Sequence, residues 1–347
     1  MKEDILSKTI EELQQLLTSQ GQPKYRAEQV YYELHNGKKI NEISNIPQTL
    51  KAYLLENFND EVITIIKTQT SSDGTKKFLY KLSDENIIEG VLMQYKFGYT
   101  LCVSTQVGCR MRCKFCASGL DGLIRHLTAG EILGQVIEVN KMLEGDCKNR
   151  KVTNIVLMGS GEPLDNYDNF LKFLELATSK YGLYFSERNI SISTCGIVPK
   201  IYALADSKFN INICISLHAS NDQVRHELMP ISQAYTIREV IEACKYYFAK
   251  TNRRILIEYI LIHEFNSLEQ HAWELARLLR GMNCIVNLIN LNEVKENNFK
   301  RCPKEVSQRF FDILKQEKIN VTMRRSLGND IDGACGQLRR KHINSNQ

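Results

Sequence analysis

Beyond about residue 129, amphipathic helices alternate with short apolar strands, and this alternation constrains the fold more than any other feature. Apolar spacing predicts helices over 129–144, 168–180 and 236–250, and apolar runs predict strands over 153–158, 189–193, 211–217, 254–262 and 285–290. Such alternation is typical of a parallel sheet covered by helices. We therefore expect a parallel α/β sheet, open or closed into a barrel, with functional residues at the carboxyl ends of its strands.

The first hundred residues follow other patterns. Apolar residues three and four apart predict helices over 10–20, 24–36 and 47–58. Short runs rich in Ile, Thr, Tyr, Phe and Val then predict antiparallel strands over 62–106, with a hairpin turn at Asp73-Gly74. We divide the chain into a small helical domain, 1–60, an antiparallel extension, 61–106, and a main α/β domain, 107–347.

Composition limits the classes of protein to which the chain can belong. A hydrophobic content of 43% in 347 residues suffices for a buried core. The N-terminus is polar, and no window approaches the ~20 apolar residues of a membrane span, so we expect a cytoplasmic protein without a membrane anchor. The net charge of +5 permits an anionic partner without requiring one. Eleven cysteines in a reducing compartment favour metal binding or catalysis over disulfides.

Three of these cysteines, Cys109, Cys113 and Cys116, have C-x3-C-x2-C spacing. Three thiolates can bind three irons of a [4Fe–4S] cluster, which leaves the fourth iron open for a small-molecule ligand. An open iron implies chemistry at the cluster. The alternatives are a zinc site completed by another Cys or His, and a chance grouping in a cysteine-rich chain.

The cysteine spacing, with Phe115 before the third cysteine, is similar to that of the radical S-adenosylmethionine superfamily. Further stretches resemble the RlmN/Cfr family of adenosine methyltransferases within it: 100–108, 158–164, 193–196, 216–218 and 328–338. The resemblance spans nearly the entire chain. It implies a partial (β/α)6 parallel barrel with a catalytic C-terminal tail, one [4Fe–4S] cluster on the three cysteines, and two S-adenosylmethionine molecules per turnover.

Residues at predicted strand ends are candidates for binding the cofactor. Gly159 and Gly161 follow an apolar strand and let the backbone pass close to a ligand, and Glu162 can accept a hydrogen bond from an ammonium group. The family resemblance implies contacts to S-adenosylmethionine from Gly161, Glu162, Ser193, Ser216, Leu217, His218 and Asn292. For the two serines and Asn292, ordinary capping of strand ends is the alternative.

Cys335 lies in a Gly-rich tail, where small neighbours allow close approach to a ligand. The resemblance implies that Cys335 first takes a methyl group from S-adenosylmethionine, and that a radical from a second molecule then joins this methyl carbon to an adenine. It further implies that Glu89 is the base, that Cys102 releases the adduct by forming a disulfide with Cys335, and that Met158 lies beside the reactive cysteine. From the pattern alone, Glu89 could instead face solvent on an edge strand, and Met158 could be a core residue.

The resemblance also implies the substrates and partners. These are 23S rRNA in the peptidyl transferase centre, tRNA at the adenosine 3′ of the anticodon, and an electron donor such as flavodoxin or ferredoxin, with the enzyme a monomer. Basic residues near the cysteines and the tail could bind RNA phosphates if the fold brings them together: Arg110, Arg112, Lys114, Arg125, His126, Arg324, Arg325, Arg339, Arg340, Lys341 and His342.

The position of methylation stays open between carbon 2 and carbon 8 of adenine. Pro163 resembles the RlmN branch, which forms 2-methyladenosine, whereas the Cfr branch, which forms 8-methyladenosine, usually has Ala there. Ser160 and Asn290 depart from the RlmN branch, which usually has Met and Pro at these positions. Alternatives of other classes are a non-catalytic iron–sulfur protein that binds RNA or senses redox state, and a radical enzyme acting on a metabolite or peptide.

Overall fold

A computed structural model describes residues 2–292, 298–325, 327–328, 330–331 and 338–339. The α-helices are α1 Ile10–Ser19, α2 Tyr25–His35, α3 Gln48–Asn57, α4 Ala129–Met142, α5 Tyr167–Thr178, α6 Val198–Ala205, α7 Asp222–Leu228, α8 Ile237–Thr251, α9 Glu269–Leu279 and α10 Lys304–Gln316. Short 3-10 helices span Ile5–Ser7, Ile40–Glu42, Ala117–Gly119, Glu187–Asn189 and Pro230–Gln233. The strands are β1 Glu3–Asp4, β2 Phe58–Asn59, β3 Ile63–Thr70, β4 Lys76–Leu82, β5 Ile87–Tyr95, β6 Gly98–Cys102, β7 Gln106–Gly108, β8 Leu123–His126, β9 Val152–Leu157, β10 Ile190–Thr194, β11 Asn212–Ser216, β12 Ile255–Leu261, β13 Cys284–Asn290 and β14 Val321–Met323.

One ten-stranded sheet, in the order β14-β13-β12-β11-β10-β9-β6-β5-β4-β3, organises the chain. Strands β6 and β9 to β14 pair in parallel, whereas β3 to β6 pair as antiparallel neighbours. Within the described residues β3 and β14 each have one neighbour, so the sheet is open. The predicted α/β fold, a partial parallel barrel with an antiparallel extension, is confirmed.

Two helices of the parallel region, α4 and α8, begin at capping groups that the sequence supplies. Thr128 and Glu131 form reciprocal side-chain to backbone hydrogen bonds at the start of α4, and Thr236 and Glu239 do the same for α8. Such caps satisfy backbone N–H groups that have no partner within the helix, and each stabilises it by about 1 kcal/mol. Helix α8 ends at Asn252, which adopts a left-handed conformation with φ of 53°. These caps therefore fix where α4 and α8 start, and where α8 stops, beside the sheet.

The three N-terminal helices that the sequence predicts are all present, and each predicted boundary lies within two residues of the observed one. Their buried residues, including Leu17, Val30 and Leu54, belong to the same apolar core as the residues of the sheet. The domain boundaries at residues 60 and 106 stay predictions. No helix in the described part of the chain is both long enough and apolar enough to cross a membrane.

A buried carboxylate attaches the N-terminal segment to α4. Asp4 Oδ2 accepts hydrogen bonds from the hydroxyls of Ser7 and Thr128, both at 2.9 Å. Burial raises the pKa of Asp4 to about 6. Gly130 permits this approach, because a Cβ atom there would lie 2.2 Å from Asp4 Oδ2. The N-terminal segment is thus held against the helix that follows the cysteine loop.

Candidate active site

The pairing of strands brings two of the predicted catalytic residues onto one face of the antiparallel extension. Cys102 of β6 lies opposite Val91 of β5 and opposite Val156 of β9. Residues directly opposite share a face of the sheet, as do residues two apart along a strand. Glu89 therefore lies on the same face as Cys102. Met158 directly follows β9, at the carboxyl end of the neighbouring strand.

Glu89 is buried, with 6% of its surface exposed, so the alternative of an edge glutamate facing solvent is wrong. Its Oε2 lies 3.3 Å from Nζ of Lys77, a lysine with no exposed side-chain surface. Its Oε1 accepts a hydrogen bond from the backbone N–H of Arg339. A buried carboxylate requires partners of this kind, because removing a charge from water costs several kcal/mol. The structure therefore holds a charged group inside the extension.

A second polar cluster lies on the parallel strands. Ser193 of β10 lies 3.1 Å, between hydroxyl oxygens, from Ser216 of β11, and it donates a hydrogen bond of 3.0 Å to Oε2 of Glu258. Glu258, on β12, lies directly opposite Ser216 and is 5% exposed. The other carboxylate oxygen, Oε1, lies 3.5 Å from Nη1 of Arg324. The structure brings together the two predicted serines.

Glu258 was not among the residues that we selected from the sequence. Glu258 could have been identified from the sequence, because it is the single charged residue in the apolar run that forms β12. The same signal, a lone carboxylate among apolar neighbours, drew attention to Glu89.

Gly161 and Glu162 lie in the loop after β9, as the sequence predicts for residues at a strand end. Gly161 has φ of +111°, and a Cβ atom there would lie 2.7 Å from Cβ of Gln106, so only glycine fits. Glu162 is 4% exposed, and burial raises its pKa. Its carboxylate accepts hydrogen bonds from the backbone N–H groups of Cys195, at 2.7 Å, and Leu164, at 3.1 Å. These bonds fix the carboxylate between the ends of β9 and β10.

Leu217 and His218 follow β11, and both are buried. His218 adopts φ of 56°, and its Nδ1 accepts a hydrogen bond of 3.1 Å from the N–H of Ile260. Burial lowers the pKa of His218 to about 3, so the ring is neutral near pH 7. The ring packs edge-on against Phe115, with 4.8 Å between centroids. His218 is therefore in contact with the loop that carries the three cysteines. The last predicted cofactor residue, Asn292, lies two residues after β13 and is exposed.

The three spaced cysteines lie on the loop between β7 and β8. The N–H of Cys109 donates to the carbonyl of Gly122 at 2.9 Å, and the N–H of Cys116 donates to that of Cys113 at 3.0 Å. Burial raises the pKa of Cys109 to about 12 and also raises that of Cys113, and the neighbouring cysteines raise both further. Thiols in such surroundings ionise when a cation replaces the proton. This donor set fits an iron–sulfur cluster.

Among the residues that the structure describes, no three His, Cys, Asp or Glu side chains surround a single metal ion. In an iron–sulfur cube each thiolate binds a different iron, so its ligands need not converge on one ion.

Basic residues near the cysteine loop fall into two groups. Arg125 is largely occupied, because it donates two hydrogen bonds of 2.7 Å to Glu131 and one of 2.6 Å to Asp84. These contacts link the strand after the cysteines to α4, so we do not count Arg125 among the RNA-binding candidates. The basic residues between the cysteines are exposed: Arg110, Arg112 and Lys114.

Cys335 lies outside the described residues, as do Arg340, Lys341 and His342. No disulfide joins two cysteines within the described part of the chain. The proposed disulfide between Cys102 and Cys335 therefore stays a prediction.

Comparisons with known proteins agree with this arrangement. The radical SAM superfamily model matches residues 103–279. A probable dual-specificity RNA methyltransferase RlmN from Clostridium botulinum is 48% identical over 348 residues, covering 99% of this chain and 98% of the relative. One from Clostridium beijerinckii is 48% identical over 346 residues, covering 99% and 97%. A crystal structure of a radical SAM methyltransferase from Sphaerobacter thermophilus, 40% identical, superposes with a TM-score of 0.92 over 96% of this chain and 98% of that one.

Proposed function

Because this chain belongs to the RlmN family of radical S-adenosylmethionine RNA methyltransferases, we propose that it forms 2-methyladenosine in 23S rRNA and in tRNA. The observation that carries the proposal is the burial of Glu89 on the same face as Cys102, because this reaction requires a base and a second thiol beside the adenine. Pro163 supports carbon 2 over carbon 8. The dual specificity in the name of the relatives supports two classes of RNA.

The enzyme uses one [4Fe–4S] cluster and S-adenosylmethionine. When bound, the cluster would supply the electron for the reductive cleavage of S-adenosylmethionine. We assign the cluster to Cys109, Cys113 and Cys116, three thiols on one loop of which Cys109 is buried and the other two are partly buried. We assign S-adenosylmethionine to the residues at the ends of β9, β10, β11 and β13: Gly161, Glu162, Ser193, Ser216, Leu217, His218 and Asn292.

In the proposed reaction Cys335 carries the transferred methyl group as S-methylcysteine. Glu89 takes the proton that the ring carbon loses. Cys102 then attacks the sulfur of Cys335, so a disulfide forms as the bond between this sulfur and the transferred carbon breaks, and that carbon takes up a proton to become the methyl group. The unpaired electron that the radical addition leaves on the adduct would pass to the oxidised cluster. We also place Met158 beside these groups, because it directly follows β9, the strand that pairs with β6.

Two contacts of residues that flank Cys335 in the sequence support its proposed role. Before it, Asp330 accepts hydrogen bonds from Ser71 and Ser72 of the extension. After it, the backbone N–H of Arg339 donates to Glu89, so both flanks of the cysteine contact the extension.

The RNA and the electron donor are the proposed partners. Exposed Arg110, Arg112 and Lys114 beside the cysteines would bind phosphates of RNA, and the helical domain 1–60 would provide a second contact. A flavodoxin or ferredoxin would supply the electron. We propose that the enzyme acts as a monomer in the cytoplasm, where its RNA substrates lie.

The test is an anaerobic reaction of the cluster-loaded protein with S-adenosylmethionine, a reductant and unmodified rRNA or tRNA, followed by mass spectrometry of the nucleosides. We expect 2-methyladenosine, and no product from Cys335→Ala. Cys147→Ala, a substitution far along the chain from both cysteine motifs, should retain activity. If 8-methyladenosine appears, the protein acts as the Cfr branch does, and Ser160 and Asn290 are the first residues to exchange. Absence of methylation with an intact cluster would overturn both assignments.

A further inference from the structure

We infer that Glu258 orients the hydroxyls of Ser193 and Ser216 so that both offer only acceptor lone pairs to the ribose hydroxyls of S-adenosylmethionine. This role makes Glu258 a positioning residue, since it acts through the two serines. The inference rests on the proposed placement of the cofactor against these serines, and it is independent of the carbon that the enzyme methylates.

Counting protons gives the direction of each hydrogen bond. A serine hydroxyl has one proton, and a carboxylate can only accept. Ser193 Oγ lies 3.0 Å from Oε2 of Glu258, so its proton points to that oxygen, and the bond is strengthened by the charge. The contact of 3.1 Å between Ser193 and Ser216 must then use the proton of Ser216. Both protons are occupied within the cluster, and the remaining lone pairs accept from a ligand.

The surroundings of Glu258 keep this arrangement fixed. Glu258, Ser193 and Ser216 all lie on regular strands, where neighbouring backbone bonds restrict their positions. Glu258 is 5% exposed, so water competes little for its oxygens. Arg324, with Nη1 3.5 Å from Oε1, faces the oxygen that does not bond to Ser193. The carboxylate is thus held by a cation on one side and a hydroxyl on the other.

A pocket that offers only acceptors selects a ligand that donates. S-adenosylmethionine has two ribose hydroxyls that can donate, and its ammonium group is assigned above to Glu162. A site built to pair with a ligand hydroxyl discriminates strongly against an analogue without it, because the buried protein atoms are left without partners. The serines and Glu258 would therefore determine how strongly the enzyme selects for an intact ribose.

The experiment measures dissociation constants, anaerobically and without RNA, for the cluster-loaded protein with S-adenosylmethionine and with its 2′,3′-dideoxyribose analogue. The wild type should prefer S-adenosylmethionine by about tenfold or more. In Glu258→Gln the amide oxygen should turn toward Arg324, and the NH2 group would then donate to Ser193 and reverse the hydrogen bond. We expect the preference to fall below about threefold, with the affinity for the analogue unchanged.

Glu274→Gln is a matched control, because Glu274 accepts a hydrogen bond of 2.6 Å from the hydroxyl of Ser220 on another element. It should leave the preference at the wild-type value. Ser193→Ala should lose the preference as Glu258→Gln does, and combining the two should cause no further loss. If Glu258→Gln does not fold, Ser216→Ala, which removes the donor to Ser193, should still reduce the preference.

The outcomes separate the inference from the placement on which it rests. If Glu258→Gln weakens both ligands equally while Ser193→Ala loses the preference, Glu258 has a structural role only and the inference is overturned. If Ser193→Ala and Ser216→Ala both keep the full preference, the ribose does not lie at these serines and the proposed placement is also wrong. Neither result depends on the methylated carbon, which the nucleoside assay determines.

Discussion

The antiparallel extension and the parallel strands each bury a glutamate, but they hold it differently. In the extension, Glu89 faces a lysine without exposed side-chain surface, so both charges lie inside the protein. In the parallel region, Glu258 binds a neutral hydroxyl and faces Arg324, whose side chain is 43% exposed. A buried ion pair is costly to assemble and costly to break, whereas a carboxylate bonded to hydroxyls mainly sets directions. This difference fits the two proposed roles, proton transfer at Glu89 and orientation of a ligand at Glu258.

The largest effect should come from a substitution in the loop between β7 and β8, which carries the three spaced cysteines. Cys113→Ala removes one of three iron ligands, so the protein should lose its cluster iron and all cleavage of S-adenosylmethionine. Iron and sulfide analysis measures the cluster, and the 5′-deoxyadenosine formed measures the cleavage of S-adenosylmethionine. Cys147→Ala is the control and should retain both. A Cys113→Ala protein that keeps its cluster would contradict the assignment of the ligands.

Glu89→Gln should separate the two regions functionally. Without the proposed base, we expect RNA methylation to fall by about 10²- to 10⁴-fold, while the affinity for S-adenosylmethionine stays unchanged. Rates of methylated-nucleoside formation and equilibrium binding measure the two quantities. Glu85→Gln, at an exposed position between β4 and β5, should change neither. An equal loss in Glu89→Gln of cofactor binding and methylation would show that the two regions are not separable.

Lys77→Met tests whether the buried pair is as costly to break as its burial indicates. It leaves Glu89 without its buried cation, so we expect the free energy of unfolding to fall by about 3–5 kcal/mol in urea denaturation. Lys81→Met removes the partner of Glu85 from an exposed pair, 2.9 Å between charged atoms, and should cost less than about 1 kcal/mol. If both substitutions cost the same, the contrast drawn for the extension fails.

Sequence patterns predicted helices α1 to α5 and α8, strands β9 to β13 and the residues at strand ends, because periodicity and the chemistry of glycine are local properties. They did not predict α6, α7, α9, α10 and β14. Gly161 and Glu162 lie where the sequence predicts. The register between strands could not be read in this way, since it depends on long-range pairing. The contact between Ser193 and Glu258, and the pairing of Lys77 with Glu89, therefore appeared only in the structure. The ion pairs of Arg125 also appeared only in the structure, because its carboxylate partners lie 41 and six residues away.

The smallest effect concerns a buried histidine outside both regions. Burial lowers the pKa of His35 to about 3, so below its ordinary value of 6.5 the unfolded chain binds a proton that the folded protein excludes. Stability should therefore fall as the pH decreases from about 6.5 toward 3. His35→Phe should remove about 1 kcal/mol of the loss between about pH 7.5 and about pH 5.5, measured by urea denaturation. An unchanged pH dependence in His35→Phe would contradict the burial argument.

Strand β6 pairs with β5 on one side and with β9 on the other, so one continuous hydrogen-bonded ladder crosses the boundary between the two regions. A hinge between the two regions would require several backbone hydrogen bonds of β6 to break at once, which is unfavourable. We therefore expect the protein around this junction to keep its shape when RNA binds, so that the target nucleotide of the proposed reaction adjusts by leaving its base stack.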